Sequence, residues 1–548
     1  MKIPIKVPAV MIVNSLLVLI ISSIDFYYSQ RINMNLFNTL GYVGVTISCL
    51  LVPLLLFFKF LRIYNWFLFL IIVFILPISF FHIHLYEQKI DFNSISVLIN
   101  TNLDESKEFL SGFLLELVIS VALIILTFIV MLKYNIKSNS YGKGLSLLSL
   151  IGLIVILSYN YRSSKILNQS YGNTLINNTL LTRFPFSVLD ALNKHIKSQE
   201  KLKCLSKKSE GFKFNALKSK LTPEREIFVL LIGEAARYDH WGINGYNRNT
   251  SPLLSKRDDI ISFQNIITGS GLTQFSVPLL ITNTDALDFD KHAQEKSIIS
   301  LFSEANFRTI WLSNQDVSGA PHINVHANEA DSIIYTKTLL GSTGYDEDLL
   351  INFKSIIESC NDDLFFVIHQ HGSHWKYDKR YPPKFDVFKP SIEGLDIRLD
   401  DFEMKERIVN SYDNSILYSD FVINSIIKNL ENLSLNSGLL YVSDHGENLY
   451  DDNKNLFGHG RNYTKYSARV PLFIWLSNAH LSLDSSLQRK LNKNVANLYS
   501  SASTVFSTMA DIGGINFKNK GVSIVSDSIG CSGVYILNKD LKSELYKP

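Results

Sequence analysis

IFVLLIGE, residues 227–234, is six consecutive strand-forming apolar residues closed by a glycine and an acid. An unbroken apolar run of that length fits a central parallel strand covered on both faces, and in such sheets ligands bind beyond the carboxyl ends of the strands. Glu234 is expected at such an end.

Two later segments are expected to converge on the same edge. In ITGSGLTQFSVP (267–278) a glycine-rich turn feeds a helix that the pattern starts near Thr273, and in LLYVSDHGENL (439–449) a short strand runs into Asp444 and His445. Glu234, Thr273, Asp444 and His445 together offer three hard oxygens and one imidazole, a set that suits Zn²⁺ or Mn²⁺ better than Ca²⁺. A divalent cation there lowers the pKa of the Thr273 hydroxyl and makes it a usable nucleophile. A helix starting at Thr273 adds a dipole that favours an alkoxide and a bound phosphoryl group.

These segments belong to a longer series. GEAARYDHWGINGYNRNTSP, TGSGLTQFSVP, HQHGSHWKYDKRYP, YDNSILYSD, SDHGEN and FGHG follow one another between residues 233 and 460. In that order they resemble the bacterial membrane-anchored phosphoethanolamine transferases, the group that includes lipid A modifying and mobile colistin-resistance enzymes. The resemblance implies an alkaline-phosphatase/sulfatase-like catalytic domain with zinc (alternatively manganese) held by Glu234, Thr273, Asp444 and His445. It assigns Thr273 as the nucleophile, and His374 and His459 as residues that bind the phosphate or a second metal ion, or protonate the leaving alcohol. Tyr412, Asp413 and Asn414 match a motif that braces the site, and His371 stands where the lipid A enzymes usually carry Met.

The chain has 548 residues, enough for two domains, with 47% hydrophobic residues concentrated in the first third. Since a span needs about 20 apolar residues, five are expected, at Val7–Ile24, Thr39–Phe58, Trp66–Phe81, Gly112–Leu132 and Leu145–Tyr159. No small-residue cleavage site follows the first, which is read as retained. Lys2, Lys6, Lys59, Arg62, Lys133, Lys137 and Lys143 fall before the first span and in alternate loops, which places the N-terminus in the cytoplasm and everything beyond Tyr161 outside. The expected domains are therefore a five-helix transmembrane domain over 1–161, a basic bridging segment at the outer membrane surface over 162–221, and a periplasmic catalytic domain over 222–548, on a bacterial inner membrane. In the second outer loop Thr101 and Glu105 match a family pair that contacts the lipid head group; Val97 replaces the Asn that often precedes it. The net charge of +3 and the lack of any recognisable DNA- or RNA-binding motif give no support to a nucleic-acid partner.

In the catalytic part, strands are expected at Ile227–Ile232, Thr309–Leu312, Leu364–Ile368 and Leu439–Val442, and a helix at Glu406–Asn429. The alternation suggests an α/β domain with a mostly parallel central sheet. Of the four cysteines, Cys49 falls in a span, so at most one disulfide can join Cys204, Cys360 and Cys531. The lipid A enzymes bracket the nucleophile loop with a disulfide; those positions here are Gly269 and Leu279, so the loop must be held by packing. The Lys that follows the family's Ser-Gly motif is also missing, as Ser318–Gly319 runs into Ala320–Pro321.

The implied reaction has two steps: Thr273 takes phosphoethanolamine from phosphatidylethanolamine, then passes it to a surface glycolipid such as lipid A or a lipopolysaccharide core sugar. Capping an acceptor phosphate would weaken the binding of cationic peptides such as polymyxin. The alternatives are a glycerol-phosphate transferase using phosphatidylglycerol, a sulfatase, disfavoured because no Cys or Ser followed by the required Pro and Arg surrounds Thr273, and a non-enzymatic membrane protein, which predicts no bound metal.

Overall fold

The structure, a computed structural model, describes residues 9–53, 61–100, 113–135, 143–167, 174–219, 224–315, 320–399, 401–453, 456–460, 463–526, 530–538 and 541–547. The chain divides into two compact units, residues 1–99 with 110–197 and residues 100–109 with 198–548. Thr101 and Glu105 lie outside the described residues.

The first unit is helical: α1 (Ala9–Arg31), α2 (Leu36–Leu51), α3 (Leu61–Phe74), α4 (Leu76–Tyr86), α5 (Phe92–Asn100), α6 (Leu114–Asn135) and α7 (Lys143–Leu167). The next helix, α8 (Phe186–Ser209), carries the chain into the second unit. Helices stand at all five stretches expected to span a membrane, yet among the described residues only Ile12–Arg31 is by itself long and apolar enough to cross one. The third expected span is broken: α3 and α4 meet at a 41° bend and pass the same test only as a pair. Pro77 sits in the first turn of α4, where a proline starts a helix but cannot continue one. Leu36–Leu51 and Val118–Val130 are apolar but shorter. The core of this unit packs Val13, Leu17, Ile21 and Ile24 of α1 against Leu68, Phe69, Ile71 and Ile72 of α3.

The second unit is built on one eight-stranded sheet. Its strands are β1 (Glu226–Gly233), β2 (Ile260–Ile267), β3 (Arg308–Ser313), β4 (Ser332–Tyr335), β5 (Leu364–His369), β6 (Asn436–Ser443), β7 (Arg469–Leu476) and β8 (Leu498–Ser500), in the order β8-β2-β7-β6-β1-β5-β3-β4. Every pairing is parallel except the two made by β7. The sheet is therefore mixed, and the expectation of a mostly parallel one needs that qualification. β7 contains Pro471, which has no N–H for the ladder; the register with β2 shifts between Val470 and Leu472, so the proline falls at an irregularity where its missing donor does no harm.

The IFVLLIGE strand is central, between β6 and β5, and buried along its whole length. Its alternate residues enter different cores. Phe228, Leu230 and Ile232 pack with α9 (Thr273–Ile281), α10 (Ile298–Glu304), α11 (Pro321–Ala327) and the late helix α14 (Ser501–Ile512). Ile227, Val229 and Leu231 pack with α12 (Glu347–Ser359) and α13 (Lys405–Glu431). Two covered faces explain why the strand carries no polar alternation.

Candidate metal and nucleophile site

Glu234 and Asp444 leave neighbouring parallel strands at the same level, since Gly233 of β1 pairs with Ser443 of β6. The register alone brings the two carboxylates side by side. His445 follows Asp444, and Thr273 opens α9, with its extended neighbour Leu272 as the helix cap. Glu234, Asp444 and His445 are fully buried, and Thr273 is half-buried.

The four side chains converge on one point. Thr273 Oγ1 lies 3.1 and 3.3 Å from the two Glu234 carboxylate oxygens and 3.2 Å from His445 Nε2. His445 Nε2 is 3.4 Å from Glu234 Oε1 and 3.3 Å from Asp444 Oδ2. These are the separations expected along the edges of a tetrahedron with metal–ligand bonds of about 2.0 Å, whose edge is about 3.3 Å.

The supports of the cluster leave its inner atoms uncommitted. Asp444 Oδ1 accepts from the backbone N–H groups of Ala235 (3.0 Å) and His445 (2.7 Å), while Oδ2 is buried without a hydrogen-bond partner. His445 Nδ1 donates to Gly446 O at 3.0 Å, which turns Nε2 toward the other three groups. Burial alone would raise the Glu234 carboxyl, but the hydrogen bond and charge of His445, then the charges of His374 and His369, hold it well below the usual carboxylate range. Burial and the Glu234 charge push Asp444 up to about 7, and the two acids, working against burial, raise His445 to about 10. Two buried carboxylates thus demand a positive charge in their midst, which a divalent cation supplies better than a proton on His445. The residues present fit a zinc ion.

His459, half-buried, lays its ring over that of His445 with centroids 4.0 Å apart, and its Nδ1 is tied to Glu447 Oε2 at 3.0 Å. His374 Nδ1 donates to Trp375 O (2.6 Å), and its ring lies 5.6 Å from that of His371, whose Nδ1 is 3.1 Å from Arg380 Nη1. Tyr412 accepts from Arg237 N (2.8 Å) and donates to Ala235 O (2.7 Å), clamping the backbone just after Glu234. Asp413 binds His240, Tyr246 and Arg248, and Asn414 accepts from Val387 and Phe388.

Two further contributors were not singled out from the sequence. Gln315, just after β3, donates to Glu234 Oε2 (3.0 Å) and Gln370 O (2.8 Å) and so fixes the outer carboxylate oxygen. Gly372, at φ +52°, passes so close to Glu234 that a Cβ would stand 2.9 Å from its backbone N and O. A glycine after HQH could have flagged the second; nothing about a lone Gln flags the first.

The four cysteines are free thiols. Around the nucleophile loop, a Cβ built on Gly269 would meet Leu279 Cδ1 at 2.7 Å and Ala502 Cβ at 3.0 Å, so Gly269 and Leu279 are in direct contact and packing holds the loop. Gly269 O also accepts from Leu537 N at 2.8 Å.

Residues 226–515, over half the chain, match the family profile described as "Sulfatase". The chain belongs to the sulfatase family. Among its relatives, phosphoethanolamine transferase EptA of Salmonella typhimurium is 30% identical over 301 residues, covering 53% of this chain and 54% of the relative. The chain spans about half the length of the first curated relatives it matches. The zinc complex of the C-terminal periplasmic domain of EptC from Escherichia coli is 25% identical, with a TM-score of 0.54 over 60% of this chain and 94% of that one. The integral membrane protein lipooligosaccharide phosphoethanolamine transferase A (EptA) from Neisseria meningitidis shares the fold over 92% of this chain and 95% of its own, at 22% identity and a TM-score of 0.69.

Proposed function

We propose that this protein transfers phosphoethanolamine from phosphatidylethanolamine to a surface glycolipid, lipid A or a lipopolysaccharide core sugar, through a phosphothreonine on Thr273. The observation that carries the reading is the placement of Thr273 Oγ1, half-exposed at a helix start and within 3.1–3.3 Å of Glu234 and His445. Similarity to EptA of Salmonella typhimurium and to the zinc-bound EptC domain supports both the reaction and the metal.

Glu234, Thr273, Asp444 and His445 would hold zinc, with manganese the alternative. When bound, the ion acidifies the Thr273 hydroxyl and neutralises phosphoryl charge. Thr273 Oγ, giving up its proton, bonds to the donor phosphorus as the bond from phosphorus to the diacylglycerol oxygen breaks; that oxygen leaves as diacylglycerol after taking a proton, relayed by His374 or His459, that replaces the one Thr273 lost. An acceptor oxygen then bonds to phosphorus as the bond to the Thr273 oxygen breaks; where the acceptor is a hydroxyl, its proton ends on the freed Thr273 oxygen, and where it is a phosphate, the freed oxygen takes a proton from solvent. The positive end of α9 stabilises anionic oxygen at Thr273 in both steps. His459, whose ring lies over that of His445, and His374, whose charge acts on Glu234, would bind the phosphoryl oxygens or protonate the leaving alcohol; Thr101 and Glu105 would meet the head group. Residues 1–161 would form five spans, 162–221 a bridge at the outer surface and 222–548 the catalytic domain in the periplasm, so that both lipids are met at the bilayer. A capped acceptor would bind polymyxin-like peptides less tightly.

The test is head-group release in detergent. Wild type and Thr273→Ala receive labelled phosphatidylethanolamine or phosphatidylglycerol, with and without chelator. Chelator-sensitive diacylglycerol from the ethanolamine lipid, lost in Thr273→Ala, is expected. Release from the glycerol lipid alone would move the protein to glycerol-phosphate transfer, and no release from either would sink the donor assignment.

A further inference from the structure

Among the described residues of the first unit, one acid, Asp25, and two cationic groups, Lys89 and Arg183, are drawn into the interior. Asp25 on α1 is fully buried; it accepts from Thr46 Oγ1 (2.6 Å) and Phe184 N (3.1 Å) and pairs with Lys89. Lys89 also donates to Tyr42 O–H (2.6 Å) and Thr182 O (2.8 Å). That carboxylate is fully engaged. Beside it lies a second cation, Arg183, only 1% exposed, and among the described residues it has no ion pair.

The guanidinium of Arg183 is held flat. Its central carbon sits 3.6 Å from the Tyr42 ring centroid and 5.3 Å from that of Tyr159, and Nη1 donates to Thr182 Oγ1 at 2.8 Å. Nε and Nη2 are buried and have no hydrogen-bond partner among the described residues. Those two nitrogens point their N–H bonds to the same side of the planar group, and they form the edge that grips carboxylate or phosphate with two parallel bonds. Burying a guanidinium without an anion costs several kcal/mol, a cost that packing alone does not explain, because an apolar side chain would fill the space between two tyrosine rings without it.

We propose that the free edge of Arg183 anchors a site for a phosphate ester, and that its occupant is the phosphodiester of a membrane phospholipid. The lipid source follows from the setting. Asp25 near the end of α1, Tyr42 in the first half of α2, Lys89 after α4, Tyr159 late in α7 and Arg183 before α8 meet at one place through the contacts just given, toward the end of the helices where α1 finishes and α2 begins. The sequence assigns that end to the outer face of the membrane. Ionisable residues buried in such a bundle mark places where ligands bind, and an unmatched cation at head-group depth faces phosphate. The proposal rests on the membrane-embedded reading of this unit and is independent of which group Thr273 transfers.

The test uses the full-length Thr273→Ala protein, delipidated in detergent, so that no lipid is consumed. Its thermal midpoint is followed with short-chain phosphatidylethanolamine, phosphatidylglycerol, the matching diacylglycerol, or inorganic phosphate. Both phospholipids should raise the midpoint at concentrations where diacylglycerol and inorganic phosphate do not, and Arg183→Gln should weaken their binding at least about tenfold. Should that variant not fold, Arg183→Lys keeps the charge without the two-pronged edge and is expected to show a similar weakening. Equal protection by inorganic phosphate, abolished with Arg183, overturns the lipid source. Protection by diacylglycerol equal to that by the phospholipids, or binding indifferent to both substitutions, overturns the site. Head-group release by the wild type would stand in either case, so the two readings fail separately.

Discussion

Asp444 shows how one residue can be both costly and indispensable. Its Oδ1 is satisfied by two backbone donors while Oδ2 faces the cluster with none. Asp444→Asn preserves the first set and replaces the ligating oxygen or its charge. Zinc affinity, read as zinc retained after dialysis against a weak chelator, should fall by at least the roughly tenfold that losing even an outer partner of a metal ligand costs. The metal-free variant should also melt above the metal-free wild type, because a buried charge has gone; a lower midpoint would contradict the assignment of Oδ2 as an uncompensated atom. These site residues were legible because each follows an apolar strand or a glycine-rich turn, so position along the chain stands in for position in space. Gln315 was not legible, since its role depends on where the loop after β3 falls relative to Glu234, a distance no local pattern encodes.

Among the elements, β1, β3, β5, β6 and α13 could be placed from their apolar runs and helical spacing, with ends correct to within a few residues. β7 could not be given its direction, because an apolar run reads the same in parallel and antiparallel pairing, and its Pro471 argues against a central strand unless the irregularity at that point is known. The loop before α9 supports a structural prediction. A Cβ on Gly269 would stand 3.5 Å from Leu279 Cβ, inside the range that a disulfide spans. Gly269→Cys combined with Leu279→Cys should therefore bridge under mild oxidant, seen as two fewer titratable thiols; thiols that stay free would show that the loop is arranged otherwise. At the opposite end of the sheet, His480 Nδ1 donates to Asn436 Oδ1 of β6 at 2.7 Å, and burial holds its imidazole down to about 4. The unfolded chain, near pH 6.5, takes up that proton first, so stability present above about 6.5 is lost as pH falls toward 4, by on the order of 3 kcal/mol. Urea midpoints at pH 7.5 and 4.5 should show this drop, and His480→Gln should lessen it; an equal drop in the variant would remove His480 as the cause.

For the whole molecule, the proposed topology rests on the loop charges, because the helices alone read equally well either way up. Cys204, exposed on α8, provides a test in a background lacking Cys360 and Cys531. A membrane-impermeant maleimide should label it in intact spheroplasts, whereas labelling only after lysis would invert the topology. The contact between Gly269 and Leu279 reaches beyond the loop it shapes. With every sulfur left as a thiol, the second unit attains its fold without surrendering electrons to any acceptor. Its maturation is thereby uncoupled from the oxidising power of its compartment, and a cell short of thiol oxidants, or a bench buffer full of reductant, should leave its yield untouched.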